Sequence, residues 1–315
     1  MIDLSVIVPV CNCAETLRRC LDSVVAAVNR ANVPAEIVCV DDGSSDGSEK
    51  VLDEYARWDL RFRVVRQANA GVSQARQTGL RCATGAFVGW VDADDWVEPE
   101  HFATLLSAAR GTGADLVTCD IVRERGAEQE RLDQSCGWHD ARTLLVATLT
   151  RQVMSAVWNR LYRLSAIQAA KVDFPASRDC PIMEDTFFNS LFLLSDPSVA
   201  HVSSASYHYV VRTGSLSCQG ETADWWRSVV VANGSIEKAL AGKANAHVLR
   251  QRWSIFKGWM FWAKGVPDEM FYAFHPEIRW LSSSSGMSVP MRLLVFLATF
   301  GGRSQIRRLV RKVRG

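Results

Sequence analysis

Apolar and polar positions in the first 120 residues alternate between two periods. Leu4 to Val10 is a continuous apolar run, LSVIVPV, the pattern of a strand buried on both faces. Over Glu15 to Val28 the spacing becomes helical, with Leu17, Leu21, Val24, Val25 and Val28 on one face. The rhythm then repeats. Glu36 to Val40 predicts a second buried strand, Glu49 to Tyr55 a helix, and Phe62 to Val65 a third strand. Ser73 to Arg81 predicts a helix, Ala86 to Val91 a fourth strand, Pro99 to Arg110 a helix and Asp115 to Cys119 another strand. Strands alternating with helices predict an α/β fold: a mostly parallel sheet with helices on both faces.

Further along the signal changes. Gly126 to Cys136 is polar and is expected to be a mobile loop, and residues 141–150 read as a helix. Ala156 to Tyr162 and Tyr207 to Val211 look like short strands, and Glu184 to Leu194 like an amphipathic helix. Beyond about Thr222 the pattern is helical and rich in tryptophan. The expected division is therefore an α/β domain over residues 1–220 and a helical C-terminal region over 221–315. No internal repeat or low-complexity tract interrupts it.

Composition narrows the class. A chain of 315 residues with 48% hydrophobic and 22% charged residues has a globular balance and room for one large domain or two modest ones. A net charge of only +2 leaves no global footprint for nucleic acid. Nine scattered cysteines, with no repeated CxxC or Cys/His spacing, suggest neither a disulfide framework nor a zinc site. They point to a reduced, cytoplasmic protein. The N-terminus has no basic and apolar leader pattern, and no run of 18 apolar residues suggests a spanning helix. Charge is concentrated at one end: Arg303, Arg307, Arg308, Arg311, Lys312 and Arg314 follow the apolar segment Val289 to Phe300. That pair of segments reads either as an interfacial helix on an anionic membrane surface or as a packed helix with a solvated basic tail. The first reading would place the protein peripherally on the inner face of the cell membrane.

The candidate chemistry lies at the strand ends. Asp92-Ala93-Asp94-Asp95 puts three carboxylates directly behind an apolar strand. Such a cluster is self-repelling, and a divalent cation would relieve it, because carboxylate oxygens are hard ligands suited to Mg²⁺ or Mn²⁺. The alternative is a solvated turn in which Asp95 caps the next helix. In a parallel α/β sheet, ligands bind beyond the carboxyl ends of the strands. Four loops share that edge: Pro9 to Ala14, Asp41 to Ser48, Ala68 to Gln74 and Asp92 to Trp96.

Taken in order, LSVIVPVCNCAETLRRCLDSV, EIVCVDDGSSDGS, NAGVSQARQTGL and GWVDADDW resemble the catalytic domain of the inverting family 2 glycosyltransferases. VWNRLYR and MEDTFFNSLFLL resemble the second half of bacterial members that build capsular, exopolysaccharide or lipopolysaccharide sugars. The likeness covers about residues 2 to 215. It implies the GT-A fold, a Rossmann-like nucleotide-sugar-binding sheet. It also implies transfer of a sugar from a nucleoside diphosphate donor, UDP-sugar foremost, to a glycan or lipid-linked acceptor, with inversion and a divalent Mn²⁺ or Mg²⁺.

Residue by residue, the resemblance assigns roles that each have a plainer rival. Asp42 would contact the uracil, or serve only as a turn residue, with Asp41 orienting the turn. Pro9 and Val10 would line the base pocket. Arg76 would pair with the nucleotide or brace the aspartate cluster, or be an exposed helix charge; the residue after it, Gln77, departs from the Ala-Arg-Asn usual in the family. Asp92 would meet ribose or metal, and Asp94 would ligate the ion that bridges the phosphates. Asp185 would be the general base, with Glu184 beside it, or the two would merely complement the dipole of the helix they begin. Trp158, with Asn159 and Arg160, would line the acceptor side, where an aromatic ring can stack on a sugar or pack in the core. Near His208, Arg212 and Ser215 are candidates for phosphate contact. The other histidines have no ligand-like spacing and read as structural or surface residues.

Two rival functions share these features. A sugar nucleotidyltransferase would also carry an acidic metal site, but needs a Gly-rich basic loop after the first strand; Cys11-Asn12-Cys13-Ala14-Glu15 has neither glycine nor lysine. A non-catalytic nucleotide-sugar-binding component of a polysaccharide assembly complex would not need Asp42, Asp92, Asp94 and Asp185 together.

Overall fold

The computed structural model describes residues 2–149, 152–180 and 182–212, with scattered positions between 228 and 238. The C-terminal helical region expected over 221–315 lies almost wholly outside the described residues, as do the apolar segment and the basic tail. Among the described residues no helix is long and apolar enough to cross a membrane.

The predicted α/β alternation is present. Strands β1 (Leu4–Val10), β2 (Ala35–Asp41), β3 (Phe62–Arg66) and β4 (Phe87–Trp90) form a parallel block in the order β3-β2-β1-β4. Every residue of β1 is buried, which explains its unbroken apolar run. Helices α1 (Ala14–Ala31) and α2 (Ser48–Trp58) step the chain outward from β1 to β3. Helix α3 (Val72–Cys82) brings it back across to β4, on the far side of β1. Right-handed crossovers in opposite directions place α3 on the opposite face from α1 and α2. The reversal between β1 and β4 opens a crevice at their carboxyl ends.

The other half of the sheet mixes directions. β8 (Arg160–Arg163) runs antiparallel between β4 and β6 (Leu116–Arg125). β9 (Val199–Val210) lies parallel to β6, and the short β5 (Trp96–Val97) pairs antiparallel with β9. The sequence pattern found only the last residues of β9, because its first half lacks an apolar rhythm. The expected loop at Gly126 to Cys136 is largely β7 (Glu128–Leu132), antiparallel to β6. β7 is almost wholly exposed, so its side chains carry no apolar signal; backbone pairing holds it to β6, together with polar side-chain contacts such as Gln129 to Glu124 and Arg131 to Asp120. Four helices complete the described chain: α4 (His101–Thr112), α5 (Ala141–Leu149), α6 (Leu164–Ala170) and α7 (Glu184–Leu193).

Helix α3 sits close on β1 because Gly79 has no side chain. A Cβ there would lie 2.3 Å from Ile7 Cγ2, a methyl group of a fully buried residue. Gly79→Ala should therefore cost about 1–3 kcal/mol, the overpacking outweighing the helix-propensity gain. Urea unfolding checks this; an unchanged midpoint would show that α3 can shift freely.

Candidate active site

The aspartate cluster is a tight turn past the end of β4, closed by the Asp95 N–H donating to Asp92 O at 3.0 Å. Helix α1 holds it from one side: Thr16 Oγ1 donates to Ala93 O at 2.9 Å and Arg19 Nη2 to Asp94 O at 3.3 Å. The three carboxylates have three different fates. Asp95 is buried and accepts from Tyr207 Oη at 2.8 Å and from the Val210 N–H at 2.8 Å, so it ties the turn to β9. It does not cap a helix, since α4 begins only at His101, behind Glu100. Burial and the neighbouring Asp92 and Asp94 push its carboxyl well above the usual range. Asp92 and Asp94 keep partly exposed side chains, 22% and 28%, facing the crevice.

Arg76, on the buried face of α3, is the hub of the site. Its guanidinium is only 4% exposed. Nη2 donates to both oxygens of Asp92, at 2.8 and 3.0 Å, while Nη1 donates to Asp185 Oδ1 at 2.8 Å and to Glu184 Oε1. Of the roles open to it, bracing is the one its contacts show. Burial works against the arginine's charge, but Asp185, Asp92 and Glu184 outweigh it. The carboxylates feel the opposite balance. Burial, with Glu184 and Asp92 adding to it against the pull of Arg76, raises Asp185 to about 8. Burial also raises Asp92, opposed by Arg76 and aided by Asp94.

Glu184 and Asp185 open α7, and the residue before them, Met183, sits in the left-handed region at φ 72°. A long side chain there is strained, and such strain tends to collect at functional sites. Nothing in the local sequence marks it.

The second loop is organised by Asp42. Its Oδ1 accepts from Gln67 Nε2 at 2.7 Å and from the Ala70 N–H at 2.9 Å, and its Oδ2 from the Gly71 N–H at 2.8 Å. Asp42 thus pins the loop leading into α3, a task neither a base contact nor an ordinary turn residue requires. Gly71, at φ 89°, gives that loop its entry angle. Asp41 orients its own turn, as expected, by accepting from the Ser44 N–H at 2.9 Å.

These groups share one cavity of about 1240 Å³, lined by Pro9, Val10, Asp42, Arg76, Asp92, Asp94, Trp158, Glu184 and Asp185 among others. These expected residues therefore meet in one place, whereas Asn159 and Arg160 are buried on the backbone of Cys119 and Met154, and Ser215 lies outside the described residues. Trp158 lies at the cavity wall but is 4% exposed, stacked on Tyr207 at 4.3 Å and Tyr209 at 5.5 Å between ring centroids. It is packed chiefly as a core aromatic, with little of its surface reaching the cavity. His208 faces Glu124 at 2.9 Å and Glu98 at 3.1 Å and stacks on Trp96, a structural position. Arg212 reaches the aspartate cluster itself, with Nη2 donating to Asp94 Oδ2 at 2.7 Å. Tyr207, which links Asp95 to the Asp92 N–H, escaped the sequence reading because a strand tyrosine looks like any core aromatic.

The family model for glycosyl transferase family 2 matches residues 5–168, the stretch that carries β1, the aspartate turn and β8. The chain belongs to glycosyl transferase family 2. Among curated relatives it resembles EpsH of Bacillus subtilis, a glycosyltransferase by name, at 33% identity over 217 residues. That match takes in 68% of this chain and 62% of EpsH, so the chain spans under two thirds of that relative's length. Among solved structures, TarS of S. aureus in complex with UDP superposes with a TM-score of 0.75 at 18% identity, over 99% of this chain and 92% of that one. The mannosyltransferase PcManGT of Pyrobaculum calidifontis, in complex with GDP-Man and Mn²⁺, gives 0.58 at 17% identity, over 97% and 82%. At such identities the shared property is the fold, and the family 2 chain has the expected GT-A sheet.

Among the described residues of this family 2 chain, two groups could hold a divalent cation. Asp94 offers one carboxylate oxygen with no protein donor among the described residues, and Asp92 stands two residues away with its charge shared by Arg76. Hard oxygen donors at a cavity wall fit Mg²⁺ or Mn²⁺. Asp120, Asp133 and His201 also bring three ligand atoms within 4.8 Å, a grouping that no sequence spacing shows. Both Asp120 oxygens are already engaged, however, by the Gln134 N–H at 2.9 Å and Arg131 Nη2 at 2.7 Å. The donor chemistry therefore favours the aspartate turn.

Proposed function

We propose that this chain transfers one sugar from a nucleoside diphosphate sugar, a UDP-sugar foremost, to a hydroxyl of a glycan or glycolipid in cell-surface polysaccharide synthesis. The observation that carries it is the convergence of Asp92, Glu184 and Asp185 on one buried arginine at the crevice between β1 and β4. The first carboxylate follows a strand end and the other two open a helix far along the chain. A structural ion pair would not need three acids around one cation. In this reading residues 1–220 form the catalytic domain.

Asp185 is the general base. Its carboxylate takes the proton of the acceptor hydroxyl as that oxygen forms a bond to the anomeric carbon. The bond from that carbon to the diphosphate oxygen breaks, and the electron pair leaves with the nucleoside diphosphate. Attack opposite the leaving group inverts the anomeric centre. Arg76 holds Asp185 and Asp92 at its two ends, so the base and the acidic turn keep a fixed spacing. Pro9 and Val10 line the nucleoside side of the cavity, and Asp42 shapes it through the loop it pins. Glu184 shares Arg76 with the base and borders the acceptor side. Asp94 with Asp92 would hold Mn²⁺ or Mg²⁺, which when bound neutralises charge on the departing diphosphate. UDP in the TarS structure and GDP-Man with Mn²⁺ in the P. calidifontis enzyme support a nucleotide-sugar donor and a metal. The basic tail on an anionic membrane surface would bring a lipid-linked acceptor within reach from the cytoplasmic side.

The test is donor binding across UDP-, GDP- and dTDP-sugars, with and without Mn²⁺ or Mg²⁺. Metal-dependent binding of one donor is expected, weakened at least about tenfold by Asp94→Ala. No binding of any donor with either metal would reject the assignment.

A further inference from the structure

The two crevice-facing aspartates of the turn, Asp92 and Asp94, are each paired with an arginine of the same chain, but the two arginines have opposite character. Arg76 is buried, gripped by three carboxylates and unable to leave. Arg212 is 38% exposed, follows the end of β9 by two residues and, among the described residues, has one carboxylate partner, Asp94. We propose that Arg212 is an exchangeable counter-cation: it holds Asp94 against free divalent metal and gives it up only when the metal arrives with a diphosphate.

The argument is electrostatic and rests on the donor reading above. Arg212 holds one Asp94 oxygen at 2.7 Å, and a guanidinium that close repels a dication approaching either oxygen of the carboxylate. Metal alone must either sit on the free Asp94 oxygen against that repulsion or displace the arginine and strip it of its described carboxylate partner. A diphosphate brings its own negative charge, and a planar guanidinium suits phosphate oxygens well. The arginine can then exchange one anion for another beside the same site. β9 keeps its position throughout, because the Val210 N–H and Tyr207 Oη remain bonded to Asp95. Only the side chain beyond that anchor needs to swing.

The exchange predicts effects of opposite sign, which a merely structural residue would not show. Mn²⁺ binding to the full chain, followed by electron paramagnetic resonance without nucleotide, should tighten about fivefold to tenfold in Arg212→Ala. UDP binding at saturating Mn²⁺, followed by calorimetry, should weaken by a similar factor. Arg212→Lys keeps the charge and should stay within about threefold of the parent in both measurements. In an Asp94→Asn background, Arg212→Ala should no longer change Mn²⁺ affinity, which also covers the case in which the single variant perturbs β9. Mn²⁺ affinity that is unchanged or weaker in Arg212→Ala overturns the proposal, as does UDP affinity that does not fall. Failure of the parent protein to bind UDP or GDP with any metal would instead reject the donor reading, while the Mn²⁺ measurement would still test the latch.

Discussion

An Arg76→Met protein is expected to lose about 3–5 kcal/mol of stability at pH 7.5 and all measurable transfer. Removing the cation leaves Asp92, Glu184 and Asp185 buried together with no compensating charge, the costly way to break a buried ion pair. The sign of the pH dependence follows. Arg76 opposes the rise that burial gives Asp92 and Asp185, so without it their folded-state proton affinities climb still further above the unfolded values, and stability falls more steeply as pH increases. The deficit against the parent should therefore be largest near neutral pH and shrink toward pH 5. Arg76→Lys should not rescue it, since one ammonium cannot reach both ends of the arrangement that Nη1 and Nη2 span. Urea unfolding at the two pH values is the measurement. A loss below about 1 kcal/mol at neutral pH would mean that the acids can disperse into solvent, and the hub description would be wrong.

Asp185→Asn should keep the fold and the donor affinity, the latter within about threefold, while turnover falls about 10²–10⁴-fold, the range for losing a general base. The amide matches the protonated acid in shape and can still accept from Arg76. In the parent, burial holds the Asp185 carboxyl raised to about 8. The base must be ionised to work, so kcat/KM of the free enzyme should climb with pH through that region. Stability runs the other way: between the ordinary carboxylate range and about 8, the folded state holds a proton that the unfolded state has lost. Asp185 therefore contributes a decline in stability across that window, and the asparagine variant should lack it. Paired pH–rate and pH–stability profiles check both signs. Full turnover by Asp185→Asn would remove the base assignment.

Legibility in the sequence followed the range of the interaction involved. The strands of the parallel block were readable because burial on both faces writes a continuous apolar run, as in LSVIVPV. Helices α1, α3 and α7 came within a few residues, because an apolar stripe is a local property. β7 was unreadable because its exposed side chains carry no apolar rhythm, and its pairing with β6 rests on backbone bonds and polar contacts. Trp158 could have faced a sugar or the core, and only the positions of Tyr207 and Tyr209 chose the core.

The site divides in the same way. The sequence by itself determined that Asp42, Arg76, Asp92 and Asp94 stand beside the carboxyl ends of strands or on the helix that follows, while Asp185 was singled out by the family resemblance. Chain order in βαβ units puts those loops on one edge whatever the details of packing. What each side chain does there was decided by tertiary structure. Arg76 meets Glu184 and Asp185 across separations of 108 and 109 residues, and Asp95 meets Val210 across 115. For Asp42 the sequence offered a base contact or a turn, and tertiary structure added a task that neither named, holding the loop at Ala70 and Gly71. A carboxylate written in sequence has a charge and a reach but no partner. The partner is whichever donor the packed sheet brings within about 3 Å, and burial then sets how strongly the pair must hold.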